Sequence, residues 1–177
     1  MKTILIIVGS ASRNSANQLL AEQIAGYGNE AIQYRIYNDL KLLPPFDPEQ
    51  SIANTPQKVL EIRNEIQHSA AVIFCTPEYV FSIPSGLKNL IEWCVSTTIF
   101  ENKPLGILTA SAHGQKAHEE LQRIMKTLMA CFTQESTLLI QGIKGKLDNN
   151  GAISDPETDE QLRKFIGVVR DLVMQSG

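Results

Sequence analysis

Five short apolar runs, at residues 3–8, 32–37, 70–76, 105–110 and 136–141, recur along the chain with a helical pattern after each of them. The helical patterns occupy residues 16–27, 56–67, 84–96, 116–131 and 156–174. Strand-length runs followed by apolar residues at helical spacing predict successive βα units, and such units predict a doubly wound parallel sheet with helices on both faces. The first, third and fourth runs are continuously apolar, as strands buried on both faces require. With 177 residues, 43% of them apolar, the chain has enough material for one well-buried core, and one domain over residues 1–177 is expected. Thr55-Pro56 and Asp155-Pro156 supply a capping side chain before a proline, a pattern that starts helices.

Bulk properties exclude several function classes. A net charge of −3 without any run of like charges gives no electrostatic footprint for nucleic acid or anionic lipid. The longest apolar stretches fall short of the roughly 20 residues that cross a bilayer. Met1-Lys2 leads straight into a strand with no small-residue cleavage site, so no signal peptide and a cytoplasmic location are expected. Cysteines at 75, 94 and 131 are odd in number and form no C-x-x-C pair. They read as reduced thiols, with Cys75 and Cys131 as small core residues. Histidines 68, 113 and 118 show no metal-ligand spacing.

In an open α/β sheet, ligands bind beyond the carboxyl ends of the strands where strand order reverses. That rule singles out the loops at residues 9–17, 77–84 and 111–115. The first carries Ser10, Ser12, Ser15 and Asn17 with one guanidinium, Arg13, just before a helix start. Unpaired N–H groups and the positive dipole end make such a place an anion site. The same residues also serve simple helix capping, and both readings stand on this loop alone. Neither G-x-x-x-x-G-K-[ST] nor G-x-G-x-x-G is present, which disfavours P-loop kinases and dinucleotide-binding dehydrogenases.

The third-strand loop runs Thr76-Pro77-Glu78-Tyr79-Val80-Phe81-Ser82-Ile83-Pro84. Pro77 restricts the chain as it leaves the sheet and Pro84 suits the first turn of the next helix, leaving the backbone between them free to face a flat polar ring. Tyr79 and Phe81 offer apolar surface to such a ring, or to a neighbouring loop or subunit. Two long connections complete the reading. Residues 38–54, with Pro44, Pro45 and Pro48, form an irregular loop suited to a subunit contact or a cover over the site. Residues 142–154 read as a flexible excursion.

Gly9-Ser10 with Ser15 and Asn17, joined to Thr76-Pro77-Glu78-Tyr79, Ser82-Ile83-Pro84 and Leu87-Lys88-Asn89, resembles the NADPH-dependent FMN reductases, a family that includes quinone, chromate and azo-dye reductases. The resemblance implies a flavodoxin-like three-layer sandwich whose five-stranded parallel sheet runs in the order 2-1-3-4-5. It also implies noncovalent FMN, NADPH or NADH as electron donor, a small-molecule acceptor, and a homodimer or homotetramer. By the same resemblance Ser10, Ser15, Ala16 and Asn17 fall on the FMN phosphate, with Ser12 or Arg13 as the neutralising side chain. Pro77, Glu78 and Tyr79 fall on the isoalloxazine edge with Ser82 nearby. Ser111, His113 and Gly114 occupy a third flavin-facing loop. Val80 stands where the family commonly has asparagine, and Ser12 where it often has arginine.

The activity so implied is transfer of a hydride from a nicotinamide to FMN and onward to a quinone, flavin, azo compound or similar acceptor. The flavin supplies the chemistry, so no acid, base or nucleophile is required of the protein. Two other classes fit the same fold. A flavodoxin-type carrier would bind FMN without nicotinamide turnover, although such carriers are usually more acidic. A cofactor-free binding domain is the third, because fold alone does not fix function.

Overall fold

A computed structural model describes residues 1–175. Five strands, β1 (Lys2–Val8), β2 (Ile32–Tyr37), β3 (Ala71–Thr76), β4 (Leu105–Ser111) and β5 (Thr137–Gln141), form one sheet in the order β2-β1-β3-β4-β5. Every pairing is parallel. Five α-helices accompany them: α1 (Ala16–Gly26), α2 (Gln57–His68), α3 (Ser85–Cys94), α4 (Gln115–Thr127) and α5 (Pro156–Gln175). This is the flavodoxin-like arrangement.

The alternation of side chains along β1 builds both layers. Ile4, Ile6 and Val8 point to the face covered by α1 and α5, where they meet Leu20, Ile24, Leu162 and Phe165. Leu5 and Ile7 point to the opposite face, where Val59 and Ile62 of α2, Leu87 and Leu90 of α3, and Leu121 and Met125 of α4 cover them. Strands β1, β3 and β4 are buried on both faces almost throughout, whereas β2, at the edge, alternates. Each buried Leu, Ile or Phe contributes about 1.5–3 kcal/mol, and together they drive the assembly.

Several local outcomes differ from the sequence reading. Helix α4 ends at Thr127, four residues before the expected end at 131. Met129 turns left-handed at φ 58°, and the backbone of Cys131 then bonds Lys103 and Leu105 beside β4. That turn leaves Cys131 exposed, so the expectation of a core thiol fails there; Cys75 and Cys94 are buried. Thr55 does not cap α2, because its hydroxyl donates to the carbonyls of Gln50 and Ser51 and Pro56 takes the cap position. Pro84 likewise precedes α3 rather than entering its first turn. Asp155 does cap α5, accepting from Thr158 N at 3.0 Å.

Both long connections are tied down. In the 38–54 segment, Pro44 O accepts from Asn89 Nδ2 at 3.0 Å and Trp93 Nε1 at 2.8 Å, and Asn89 Oδ1 accepts from Phe46 N at 2.7 Å. Arg63 donates to Ser51 O and Trp93 O from the other side. The segment is thus strapped to α2 and α3, while its first residues, Asn38, Asp39 and Lys41, border the loop after β1. The 142–154 segment forms a 3-10 turn, Ile143–Lys146, and a bridge between Leu147 and Ile153. Buried Ile143 anchors it in the α1/α5 layer.

Candidate functional site

The C-terminal ends of β1, β3, β4 and β5 open into a cleft of about 840 Å³, within the range of small-molecule and cofactor sites. Its floor begins where β1 passes β3. A Cβ on Gly9 would lie 2.3 Å from Thr76 Oγ1, so only glycine lets the first loop leave the sheet this close to its neighbour.

Beyond Gly9 the loop turns into α1 through Ser15, whose Oγ accepts from Gln18 N at 3.1 Å. That bond satisfies one of the helix's first amides. Among the described residues, the N–H groups of Ala16 and Asn17 have no acceptor within the chain. They lie at the positive end of α1 and line the cleft, which is the backbone geometry for a phosphate or carboxylate. The Asn17 side chain is otherwise engaged: its Nδ2 donates to Ala110 O at 3.0 Å, and Asn17 O accepts from Cys75 Sγ at 3.2 Å. Burial pushes the Cys75 thiol far above its usual range, so it works as a weak donor that ties α1 to β3.

The third-strand loop is braced from α4. Glu78 Oε2 accepts from Ala117 N at 2.9 Å, placing a carboxylate at the positive end of α4. Glu120 Oε2 accepts from Ser82 Oγ at 2.7 Å and Ile83 N at 3.0 Å. Between these clamps Tyr79 and Ser82 exchange backbone hydrogen bonds of 2.9 and 3.1 Å around a two-residue turn. Val80 and Phe81 form that turn with φ of 51° and 60°, the type I′ geometry that a β-branched residue adopts only under strain. Val80 and Phe81 are 94% and 75% exposed.

One hydrogen bond joins the two loops, Ser10 Oγ to Tyr79 Oη at 3.1 Å. It holds the anion end and the aromatic end of the cleft in one frame. Ser111, the last residue of β4, and Ala112 after it line the cleft beside Pro77, Glu78 and Tyr79. Behind them His118 is buried on α4 with its ring Nδ1 2.9 Å from Thr109 Oγ1. Burial holds its pKa below the usual histidine value, with Glu119 acting weakly the other way.

Of the residues singled out from sequence, the cleft brings together Ser10, Ser12, Ser15, Ala16, Asn17, Pro77, Glu78, Tyr79 and Ser111. Arg13 is absent from its lining and faces a neighbouring cleft of about 380 Å³ with Asn38, Asp39 and Lys41. Val80 and Ser82 are likewise absent from its lining and border a separate pocket with Ile83, Lys88 and Glu120. His113 is exposed, and Gly114 is buried as the left-handed residue (φ 85°) that starts α4. Sequence reasoning missed the wall formed by Gly142, Ile143, Lys144, Gly145 and Leu147. The signal was available, since this connection also follows the carboxyl end of a strand.

A sheet in this order, with an amide-lined helix start at one end of the cleft and a braced aromatic loop at the other, places the chain among the flavodoxin-like proteins. The profile of the NADPH-dependent FMN reductases matches residues 2–144, and the chain belongs to that family. It is 32% identical to the NADH-dependent flavin reductase subunit 2 of Lactobacillus johnsonii over 166 residues, covering 88% of each chain. It is 30% identical to the NADH:(hydroxy)cinnamate reductase subunit CrdA of Vibrio ruber over 173 residues, 92% of this chain and 84% of that one. The fold is shared with the NAD(P)H:(acceptor) oxidoreductase FerB of Paracoccus denitrificans, at a TM-score of 0.78 and 22% identity over 99% and 98% of the two chains.

Proposed function

We propose that the cleft holds FMN noncovalently and that the chain is an NAD(P)H-dependent reductase delivering electrons to a quinone, a free flavin, an azo compound or a similar small acceptor. The observation that carries this reading is the Ser10–Tyr79 hydrogen bond, which fixes free helix-start amides and an aromatic loop as two ends of a single cleft. The residues present fit such a group. The Ala16 and Asn17 amides, with the Ser12 and Ser15 hydroxyls, suit the phosphate; the Pro77, Glu78 and Tyr79 backbone and Ser111 suit the ring edge.

Bound FMN supplies hydride acceptance and electron transfer; the protein supplies position. Glu78 is spent on the α4 amide and Tyr79 on Ser10, so both hold the loop's peptide groups in place. With Ser82 and Ile83 clamped by Glu120, the loop that would border the ring keeps its shape. Val80 and Phe81 face outward from that loop, and their exposed apolar surface supports assembly as a homodimer or homotetramer. Among the described residues no helix is long and apolar enough to cross a membrane, and we place the protein in the cytoplasm as one domain spanning the chain. Steady NADH or NADPH oxidation by the FMN-loaded protein with a quinone acceptor is the expected result. Tight FMN binding without turnover would make the protein an electron carrier instead.

A further inference from the structure

A flavin phosphate monoester carries about −1.5 to −2 charge near neutral pH, and helix-start amides contribute only partial positive charge. A formal cation beside it would add a charge-assisted contact to theirs. Arginine on the first loop is the sequence's obvious offer, yet Arg13 lines the neighbouring cleft with Asn38, Asp39 and Lys41, a cleft that shares Ser10, Ser12 and Asn14 with this one. Among the described residues, the cleft that reaches the α1 amides is lined by a single cationic residue, Lys144.

Building on the proposed FMN site, we infer that Lys144 is the residue that neutralises the flavin phosphate, so that the charge comes from the connection after β5. Its carrier is the 3-10 turn Ile143–Lys146. Buried Ile143 anchors that turn below, and Gly142 N donates to Ala112 O at 3.2 Å, fastening it to the loop after β4. Lys146, two residues on, has its Nζ 3.9 Å from Asp155 Oδ2. Among the described residues the Lys144 side chain is in none of the ion pairs. The single acidic side chain lining the cleft, Glu78, is turned to the α4 amide and does not compete for it. The first loop thus retains the shape of an anion grip with serine where a cation would sit, and the missing charge arrives from the opposite wall.

The test compares FMN with riboflavin, which lacks the phosphate, by fluorescence titration of purified protein stripped of flavin. Lys144→Gln is expected to weaken FMN about tenfold or more, to leave riboflavin unchanged, and to flatten the salt dependence of FMN binding. Lys144→Arg restores FMN affinity, and Arg13→Gln alters neither ligand by more than about twofold. The inference is overturned if Arg13→Gln selectively weakens FMN while Lys144→Gln does not, or if Lys144→Gln weakens both ligands equally. Wild-type protein that binds neither ligand overturns the FMN reading itself, and the Lys144 assignment with it.

Discussion

The loops after β1 and β3 border the same cleft but are built oppositely. The first, residues 9–15, keeps its backbone open: Ser15 and Ser10 accept one bond each from nearby amides, and the amides at the head of α1 are left without partners. The second, residues 77–84, is closed on itself and clamped twice to α4, through Glu78 and Glu120. One loop keeps donors in reserve for an anion, while the other spends its side chains on rigidity and offers a fixed surface. A site that must hold a phosphate and orient a ring needs both, since affinity comes from unmet donors and orientation from met ones.

The comparison is broken most severely at the point the two loops share. Gly9→Val drives a side chain into Thr76 and Leu87, and a loss of about 3 kcal/mol in chemical denaturation, with loss of FMN binding, is expected. Glu120→Ala attacks the clamped loop alone. It strands Ile83 N–H and the Ser82 hydroxyl, at a cost of about 1–3 kcal/mol, and should raise KM for the acceptor more than it weakens FMN. Ser15→Ala attacks the open loop alone, removing the α1 cap for about 1 kcal/mol; FMN titration should weaken with acceptor KM unchanged. Val80→Asn sharpens the contrast in the other direction. Asparagine tolerates φ near 51°, so a gain of about 0.5–1 kcal/mol in stability is expected.

The smallest effect is a pH dependence behind the clamped loop. His118 has a folded-state pKa below its unfolded value near 6.5, so its contribution is fully present above that pH. As pH falls through 6.5 the unfolded chain takes up a proton that the folded chain resists, and stability declines until the folded pKa is passed. Denaturation midpoints between about pH 5 and 7.5 should show this slope, and His118→Gln should flatten it.

The sheet was legible because its determinants are local: five apolar runs, four of them ending in the C-terminal sheet-edge loops of the cleft, and the Asp155-Pro156 start that caps α5. The candidate site was half legible. Serines at a helix start and the Pro77 to Pro84 framing can be read as chemistry wherever they occur. What could not be read was which side chains the tertiary contacts consume. Asn17 looks like an anion ligand until Ala110 takes its amide, and Glu78 looks like a free carboxylate until α4 arrives above it. Lys144 carries no motif at all; only the packing of Ile143 and Gly142 against distant elements brings it to the cleft. The early end of α4 was hidden for a similar reason, since the backbone pairing of Cys131 with Lys103 and Leu105 is not local in sequence.

The central claim, that the two loops hold opposite ends of one FMN, is tested most directly by loading the purified protein with FMN and adding NADH or NADPH without oxygen while following the visible flavin absorption. Saturable binding near one FMN per chain, followed by bleaching with at least one nucleotide, is the predicted result. Protein that binds no FMN, or bound FMN that neither nucleotide bleaches, would contradict the account.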